Sequence, residues 1–390
     1  MKVKENMSFA KRAKQRDQNV FWIHRKLFVA VFSKFHQVNE LPDGYALCYP
    51  QSLKWNSRLT EFISLYRKHY PTTSTELVPD PSRYQVWLHI RGEEGTKDFL
   101  EYMMTTKSSL LDRAFHMRTI RLCFRMLTSP IRMKPNFLII GAARCGTSAL
   151  YDYLRQHPCV APAFTKEIYF FDQHFRKGMF WYRGFFPTIL EKYYAKYIRK
   201  TDLITGEATP CYIFHPHVPK RVFKSNPKAK LIVLLRNPVD RAYSFYYHRI
   251  QFGLESLSFE DAIQKEEERL RGELEKMLKK DDYFSFNRQN YSYLSRGIYV
   301  DQLKNWMDLF PREQILILRS EDFFKDPSET FRQVTKFLNL PDWEPKNYRK
   351  INSVPYPKMN ATTRKYLNDY FRPHMQRLYD LLGMKLDWEY

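Results

Sequence analysis

Apolar and polar positions alternate on two different rhythms along this chain. In the first hundred residues the signals are short and mixed. Tyr45 to Tyr49 reads as a strand, and Val86, Leu88 and Ile90 alternate with their neighbours as a half-buried strand does. Between them Leu59, Phe62, Ile63 and Tyr66 recur at i, i+3, i+4 and i+7, which predicts one face of a helix. Gly95 to Met103 predicts a second helix. Residues 41–105 are thus expected to form a small α+β unit. Residues 1–40 precede it as a basic amphipathic segment in which Phe21, Trp22, Leu27 and Phe28 cluster. Residues 106–134 follow as a basic helical connector: Arg113, Arg118, Arg121, Arg125 and Arg132 interleave with Leu110, Phe115, Ile120, Phe124 and Leu127, and Pro130 ends the run.

From Phe137 the rhythm changes to continuous apolar runs separated by amphipathic ones. Phe137–Ile140, Val160 with its neighbours, Leu203–Ile204, Leu231–Leu235 and Ile315–Leu318 are strand candidates. Leu303, Trp306, Met307 and Phe310 mark a helix face. Another helix starts at Asp326-Pro327, a cap followed by proline at the first helical position, with Phe331, Val334 and Leu338 facing the core. Apolar strands alternating with helices imply an α/β fold with a doubly wound parallel sheet, whose ligands bind at the carboxyl ends of the strands. The charged stretch Ser258 to Lys280 reads as a solvated surface helix capped by Ser258 and Asp261.

Composition narrows this picture. The chain has 390 residues, 44% of them hydrophobic and 16% aromatic, which is enough for a large domain and a smaller one and excludes a disordered chain. The formal charge of +22 calls for an anionic partner, and an anionic membrane surface touched by the basic segments is one such partner. No specific nucleic-acid partner is expected. The five cysteines (48, 123, 145, 159 and 211) are scattered without C-x-x-C spacing, which argues for a reducing compartment and against a bound metal. His215-Pro-His217 has metal-like spacing with no acidic partner beside it and reads as a loop. No apolar run is long enough to cross a membrane, and residues 1–26 lack the apolar core of a signal peptide, so a cytoplasmic protein, peripheral at most, is expected.

One stretch carries the chemistry. Phe137 to Ile140 leads into Gly141-Ala-Ala-Arg-Cys-Gly146, and Thr147 opens a run with Leu150 and Leu154 four apart. A strand, a loop of small residues and a helix start form an anion cradle, because the free amides of the first turn and the helix dipole point at the loop. Arg144 adds a fixed charge; Thr147 and Ser148 add hydroxyls. The nucleotide-kinase loop needs Lys after its last Gly, and Thr147 stands there instead. A nucleotide or nucleoside kinase and a non-catalytic polyanion-binding protein remain alternatives at this point.

Two later segments, Thr165-Lys-Glu-Ile-Tyr-Phe-Phe-Asp172 and Lys230-Leu-Ile-Val-Leu-Leu-Arg-Asn-Pro-Val-Asp-Arg-Ala-Tyr-Ser-Phe245, complete an ordered set with the cradle. Together they resemble the sulfotransferases that use 3′-phosphoadenosine 5′-phosphosulfate (PAPS), and most closely those that modify heparan-like sugars. The resemblance covers about Lys134 to the C-terminus and implies a P-loop-like sulfotransferase domain over residues 135–390. It implies transfer of a sulfuryl group from PAPS, with no metal, to a hydroxyl or amine of a carbohydrate or glycolipid. It further implies that Arg144, Cys145, Gly146, Thr147, Ser148 and Ala149 hold the 5′-phosphosulfate, and that Arg236 and Ser244 hold the 3′-phosphate. Lys350 matches a loop that closes over the nucleotide. Glu167 matches the base, Arg144 also assists the chemistry, and Lys166, Tyr169 and Thr209 fall on the acceptor side. Relatives usually have Lys at the Arg144 position, His or another polar residue at Tyr169, and often Lys at Ala208. Asp172, the other carboxylate of its segment, is expected to cap the turn that follows.

Overall fold

The computed structural model describes residues 35–69, 74–80, 85–92, 124–349 and 356–388, together with Val31, Lys97 and Leu122. Most of residues 1–40, the helix expected over Gly95–Met103 (save Lys97), most of the 106–134 connector and Lys350 lie outside the described residues. The chain divides into two compact units, Met1–Ile120 with His248–Ser256, and Arg121–Tyr247 with Leu257–Tyr390.

The first unit holds an antiparallel sheet in the order β1-β2-β4-β3, formed by β1 (Gln37–Leu41), β2 (Gly44–Pro50), β3 (Ser74–Asp80) and β4 (Gln85–Arg91). Helix α1 (Leu53–His69) lies between β2 and β3 in the chain. Its expected face is buried at Leu59, Phe62 and Ile63, against Leu47, Tyr49, Leu88 and Ile90 of the sheet. The expected strands at 45–49 and 86–90 are the two central ones. The two edge strands carry no apolar signal: β1, Gln-Val-Asn-Glu-Leu, is exposed along most of its length.

The second unit is a five-stranded sheet in the order β6-β7-β5-β8-β9, every pair parallel. Its strands are β5 (Phe137–Gly141), β6 (Val160–Pro162), β7 (Ile204–Ala208), β8 (Lys230–Leu235) and β9 (Ile315–Arg319). Among the helices are α2 (Thr147–Leu154), α3 (Phe170–Gln173), α4 (Ile189–Tyr197), α5 (Pro238–Gln251), α6 (Tyr299–Met307), α7 (Pro327–Leu338) and α8 (Ala361–Leu382). Leu303, Trp306 and Phe310 are buried, although α6 ends before Phe310. Asp326 caps α7 by accepting from the Glu329 amide at 3.1 Å, and Phe331, Val334 and Leu338 are buried. After β5 the chain winds to one side through β6 and β7, then returns to the other side of β5 through β8 and β9. The carboxyl ends of β5 and β8, adjacent strands on either side of that reversal, form a topological switch point.

Two expectations change. Ile204 begins a longer strand than the apolar signal indicated, because Glu207 is paired inside it and completely buried. Ser258 to Lys280 is not one surface helix. It breaks into Phe259–Gln264, Glu266–Leu270 and Glu273–Lys279, with Gly272 in the left-handed region at φ 72°. The Ser258 cap is present, accepting from Asp261 N at 3.1 Å. Glu266 and Glu273 turn inward, however, and Glu266 accepts from the Leu294 and Ser295 amides. A charged residue satisfied by backbone donors can be buried where composition suggests a solvated face.

Candidate active site

The cradle loop leaves β5 at Gly141 and enters α2 at Thr147. Gly146, the cap, has φ 90°, and a Cβ there would meet Phe323 and Phe324 at 3.0 Å, so both backbone and space require glycine. No side chain caps α2. Among the described residues the amides of Gly146, Thr147 and Ser148 find no acceptor, which leaves three donors and the positive end of the helix dipole aimed at the loop. The loop is pinned from below: Ala142 N donates to Leu234 O at 2.8 Å, and Ser320 Oγ, just past β9, donates to Cys145 O at 2.8 Å.

Arg144 (φ 72°) and Arg236, the residue after β8, converge on this loop. Arg144 Nε donates to Ser244 Oγ at 3.1 Å, and Arg236 Nη1 donates to Arg144 O at 3.4 Å. Ser244 is carried by α5, which Asn237 caps by accepting from Val239 N at 2.9 Å, with Pro238 at its first turn. Arg236 Nη2 also donates to the Tyr356 hydroxyl at 3.4 Å, and the Tyr356 ring stacks on Tyr247 with centroids 5.1 Å apart. Burial, and then the neighbouring Arg236 charge, hold the Arg144 guanidinium below its ordinary value. Among the described residues neither arginine has a carboxylate partner. Asp240 acts on Arg236 only from beyond ion-pair distance, and two adjacent, mostly buried cations so placed form a site for an anion.

The third component is the 165–172 segment. Ile168, Phe170 and Phe171 are buried, with Phe170 stacked on Tyr182 at 4.3 Å, while Lys166 and Glu167 stay 30% exposed. Lys166 Nζ donates to Ser148 Oγ on the first turn of α2 and to Glu167 Oε1 at 2.9 Å, and the Tyr169 hydroxyl donates to Glu167 Oε2. The Glu167 carboxylate is therefore joined to the cradle helix through a single side chain. Glu167 (φ 58°) and Tyr169 (φ 54°) both adopt left-handed backbone. With Arg144 they make three of the six non-glycine residues of positive φ among the described ones. Such conformations cost about 1–3 kcal/mol each and persist where surrounding contacts impose them, commonly at functional sites.

Those contacts come from beneath, from residues that, Thr209 apart, had no role in the sequence reading. Glu207, fully buried on β7, accepts from the Tyr182 hydroxyl, from Thr209 Oγ1 at 2.8 Å and from the Tyr212 hydroxyl at 3.1 Å. The Tyr212 hydroxyl in turn accepts from Phe170 N at 3.0 Å. Burial raises the Glu207 carboxyl above its usual range, and the three hydroxyl bonds act in the opposite direction. Thr209, expected on the acceptor side, is completely buried, and its hydroxyl is taken by Glu207 rather than presented to a ligand. Ala208, where relatives often carry a cation, is also completely buried.

Cys145 holds its place in the loop, but its thiol points inward. The residue is fully buried, Sγ contacts Ala143 O at 3.8 Å, and burial raises the thiol pKa. Asp172 is not a cap. It sits within the first turn of α3, whose capping residue is Tyr169, and both its carboxylate oxygens are buried without a partner. Burial pushes its pKa up to about 8. Asp172 lines a small cleft, open to solvent, with Cys211, His215, Arg288, Gln289 and Arg296 among its walls. Burial and the facing Arg296 bring Arg288 down to about 10, while burial and a set of cations led by Arg221 bring His215 down to about 3. Glu266, Glu275 and Glu273 act on Arg288 from outside the lining and partly offset its charge. Among the described residues no group of His, Cys, Asp and Glu is arranged to hold a metal ion. His217 Nε2 meets Met277 O at 2.7 Å and has Asp281 Oδ1 3.5 Å away, an acidic neighbour that the local sequence did not show.

Lys350 lies outside the described residues. The chain before it is tied to α2 by the Tyr153 hydroxyl, which donates to Arg349 O at 2.8 Å, and the chain after it returns to Arg236 at Tyr356.

Comparison with known proteins points the same way. A membrane-associated sulfotransferase, kil1, of Dictyostelium discoideum is 29% identical over 320 residues, covering 65% of this chain. The chain spans 66% of that protein's length, just under two thirds. Heparan sulfate glucosamine 3-O-sulfotransferase 6 of Mus musculus is 28% identical over 66% of this chain and 75% of its own. Among solved structures, a sulfotransferase from Alicyclobacillus acidocaldarius is 32% identical with a TM-score of 0.50, over 65% of this chain and 98% of that one. The sulfotransferase domain profile matches residues 134–379, the stretch that contains the cradle, the 165–172 segment, Arg236 and Ser244. The nucleotide-kinase alternative is set aside by this match: the chain belongs to the sulfotransferase domain family, a family of transferases whose donor is PAPS.

Proposed function

We propose that this chain transfers a sulfuryl group from PAPS to a hydroxyl of an anionic carbohydrate or glycolipid, with Glu167 as general base. The observation that carries the reading is the single side chain, Lys166, that joins the Glu167 carboxylate to the cradle helix at Ser148. It puts a proton acceptor and an anion site side by side on one rigid frame, as sulfuryl transfer requires.

PAPS supplies the sulfuryl group and departs as 3′-phosphoadenosine 5′-phosphate (PAP). The residues here fit its two charged ends. The free amides of Gly146, Thr147 and Ser148 with Arg144 suit the 5′-phosphosulfate, and Arg236 with the Ser244 hydroxyl suits the 3′-phosphate. Glu167 takes the acceptor proton as the acceptor oxygen bonds to sulfur and the sulfur–phosphate oxygen bond breaks. Arg144 and the first-turn amides stabilise the charge that collects on that phosphate oxygen. A guanidinium can do this but cannot protonate the leaving group, a difference from relatives with Lys there. Lys166, bonded to both Ser148 and Glu167, stands where it meets charge on donor and base alike. The formal charge of +22 supports an acceptor that carries negative charge, and the two relatives named for heparan sulfate and for membrane association support a carbohydrate or lipid-linked one.

Labelled PAPS incubated with fractionated saccharides and glycolipids tests the reaction, and PAP titration calorimetry tests the site. Arg236→Ala should weaken PAP by about 1.5–3 kcal/mol, the loss of one charged hydrogen-bonding partner. Unchanged PAP affinity would refute the 3′-phosphate assignment.

A further inference from the structure

Helix α4 turns an apolar face to solvent. Leu190, Tyr193, Tyr194, Tyr197 and Ile198 fall at i, i+3, i+4, i+7 and i+8, the spacing that buries Phe331, Val334 and Leu338 in α7. Here every one of the five is between 53% and 66% exposed, and Ala195 is the one buried residue of the helix. The helix is nevertheless firmly built. Thr188 and Glu191 form a complete capping box, Thr201 N donates to Ala195 O at 3.1 Å, and Met133 N donates to Pro187 O at 2.9 Å just before the cap. A strong helix that faces its apolar stripe outward has something to cover it.

Its charge indicates what. Lys192, Lys196, Arg199 and Lys200 flank the stripe, and the one carboxylate between residues 189 and 200 is Glu191, held in the capping box. Tyr193 and Tyr197 stack at 6.1 Å, and the Arg199 guanidinium lies 5.4 Å from the Tyr194 ring. The exposed patch continues onto Leu127 and Ile131, because Arg132 bridges to Thr188 at the start of α4. Tyrosines and long cationic side chains with an aliphatic base match the boundary between lipid headgroups and acyl chains, where rings sit at headgroup level and cations reach the phosphates. A polysaccharide would use the rings and cations but not Leu190 and Ile198. A second copy would bring like charges together.

We propose that α4 and the adjoining Leu127–Ile131 surface dock this unit onto an anionic bilayer, lying in the interface without crossing it. The helix is nine residues long, and no described helix is long and apolar enough to span a membrane. Binding through so short an element is reversible, and salt weakens it.

The test is co-sedimentation of the full chain with phosphatidylserine–phosphatidylcholine vesicles and with phosphatidylcholine alone, combined with hydrogen exchange over residues 188–200. The intact chain should partition onto the anionic vesicles, less so as salt rises, and slow exchange in that segment. The triple variant Leu190→Ser, Tyr194→Ser, Ile198→Ser should lose about tenfold or more in partition, with PAP affinity unchanged as the check on folding. Lys192→Glu with Lys196→Glu, a change of exposed charges only, should weaken binding in the same direction. Undiminished partition by both variants overturns the proposal. So does protection of 188–200 that follows protein concentration rather than lipid, which would make the face a contact between copies. Loss of heparin retention with vesicle binding intact would overturn it as well, in favour of a polysaccharide.

Discussion

In the N-terminal sheet every strand runs antiparallel to its neighbour, in unbroken register from Gly44 opposite Arg91 to Pro50 opposite Gln85. Its strand ends are divided between the two edges, and its core is a local matter of α1 against β2 and β4. In the second sheet every strand points the same way, so the ends of β5 and β8 lie side by side although 92 residues separate Arg144 from Arg236. A parallel sheet gathers distant loops at one edge; an antiparallel sheet of this size does not. The difference explains why every candidate for chemistry lies after Pro135, and why the first unit shows a core but no cluster of buried cations among its described residues.

Phe62→Ala would break the comparison most visibly if it is wrong. Phe62 is completely buried between α1 and the first sheet, and its loss should destabilise that unit by about 3–5 kcal/mol. Hydrogen exchange should quicken in β2 and β4 while PAP affinity stays put. A parallel loss of affinity would mean that the first unit completes the site.

Asp172 offers a smaller effect with a definite sign. Its folded-state pKa of about 8 lies well above that of an ordinary aspartate, about 4, so between these values the folded state holds a proton that the unfolded state has released. Stability therefore falls as pH rises from about 4 to about 8, and the full penalty is present above that. Asp172→Asn should flatten this decline in denaturant melts taken from pH 5 to 9. An unchanged pH profile would show that the carboxyl finds a partner in solution. Smallest is Tyr169→Phe, which removes one hydroxyl from Glu167 and should slow turnover by roughly fivefold, about 1 kcal/mol, with PAP affinity unchanged. A loss as large as that from removing the base itself would make Tyr169 a direct participant.

What could be read beforehand follows from the same contrast. Strands buried on both faces announce themselves as apolar runs, and so β5 and β8 stood out, with the half-buried edge strand β9 beside them. The cradle stood out because Gly141, Arg144, Gly146 and Thr147 are local to one loop. Edge strand β1 carried no signal, since its side chains face water and need no period, and β3 buries only Thr75 fully, with Leu77 packed partly against the core, among polar neighbours and Pro79. The Glu207 network was illegible for another reason. Tyr182, Thr209, Tyr212 and Glu207 are ordinary residues until folding brings Tyr182 across 25 positions to a buried carboxylate, and no spacing rule encodes that. The buried Asp172 ran against the rule that charge seeks a partner, and the turn role expected of it rested only on its place after Phe170 and Phe171. In α4 the period was present in the sequence, but period alone gives the face and not what it faces.

The central claim is that Glu167 accepts the acceptor's proton beside the donor cradle. Glu167→Gln keeps the shape and removes the base, so the decisive measurement is turnover of labelled PAPS on the identified acceptor beside PAP affinity for the same variant. The account predicts a fall of about 10²–10⁴ in kcat with nearly unchanged PAP binding. Near-normal turnover by Glu167→Gln would contradict it.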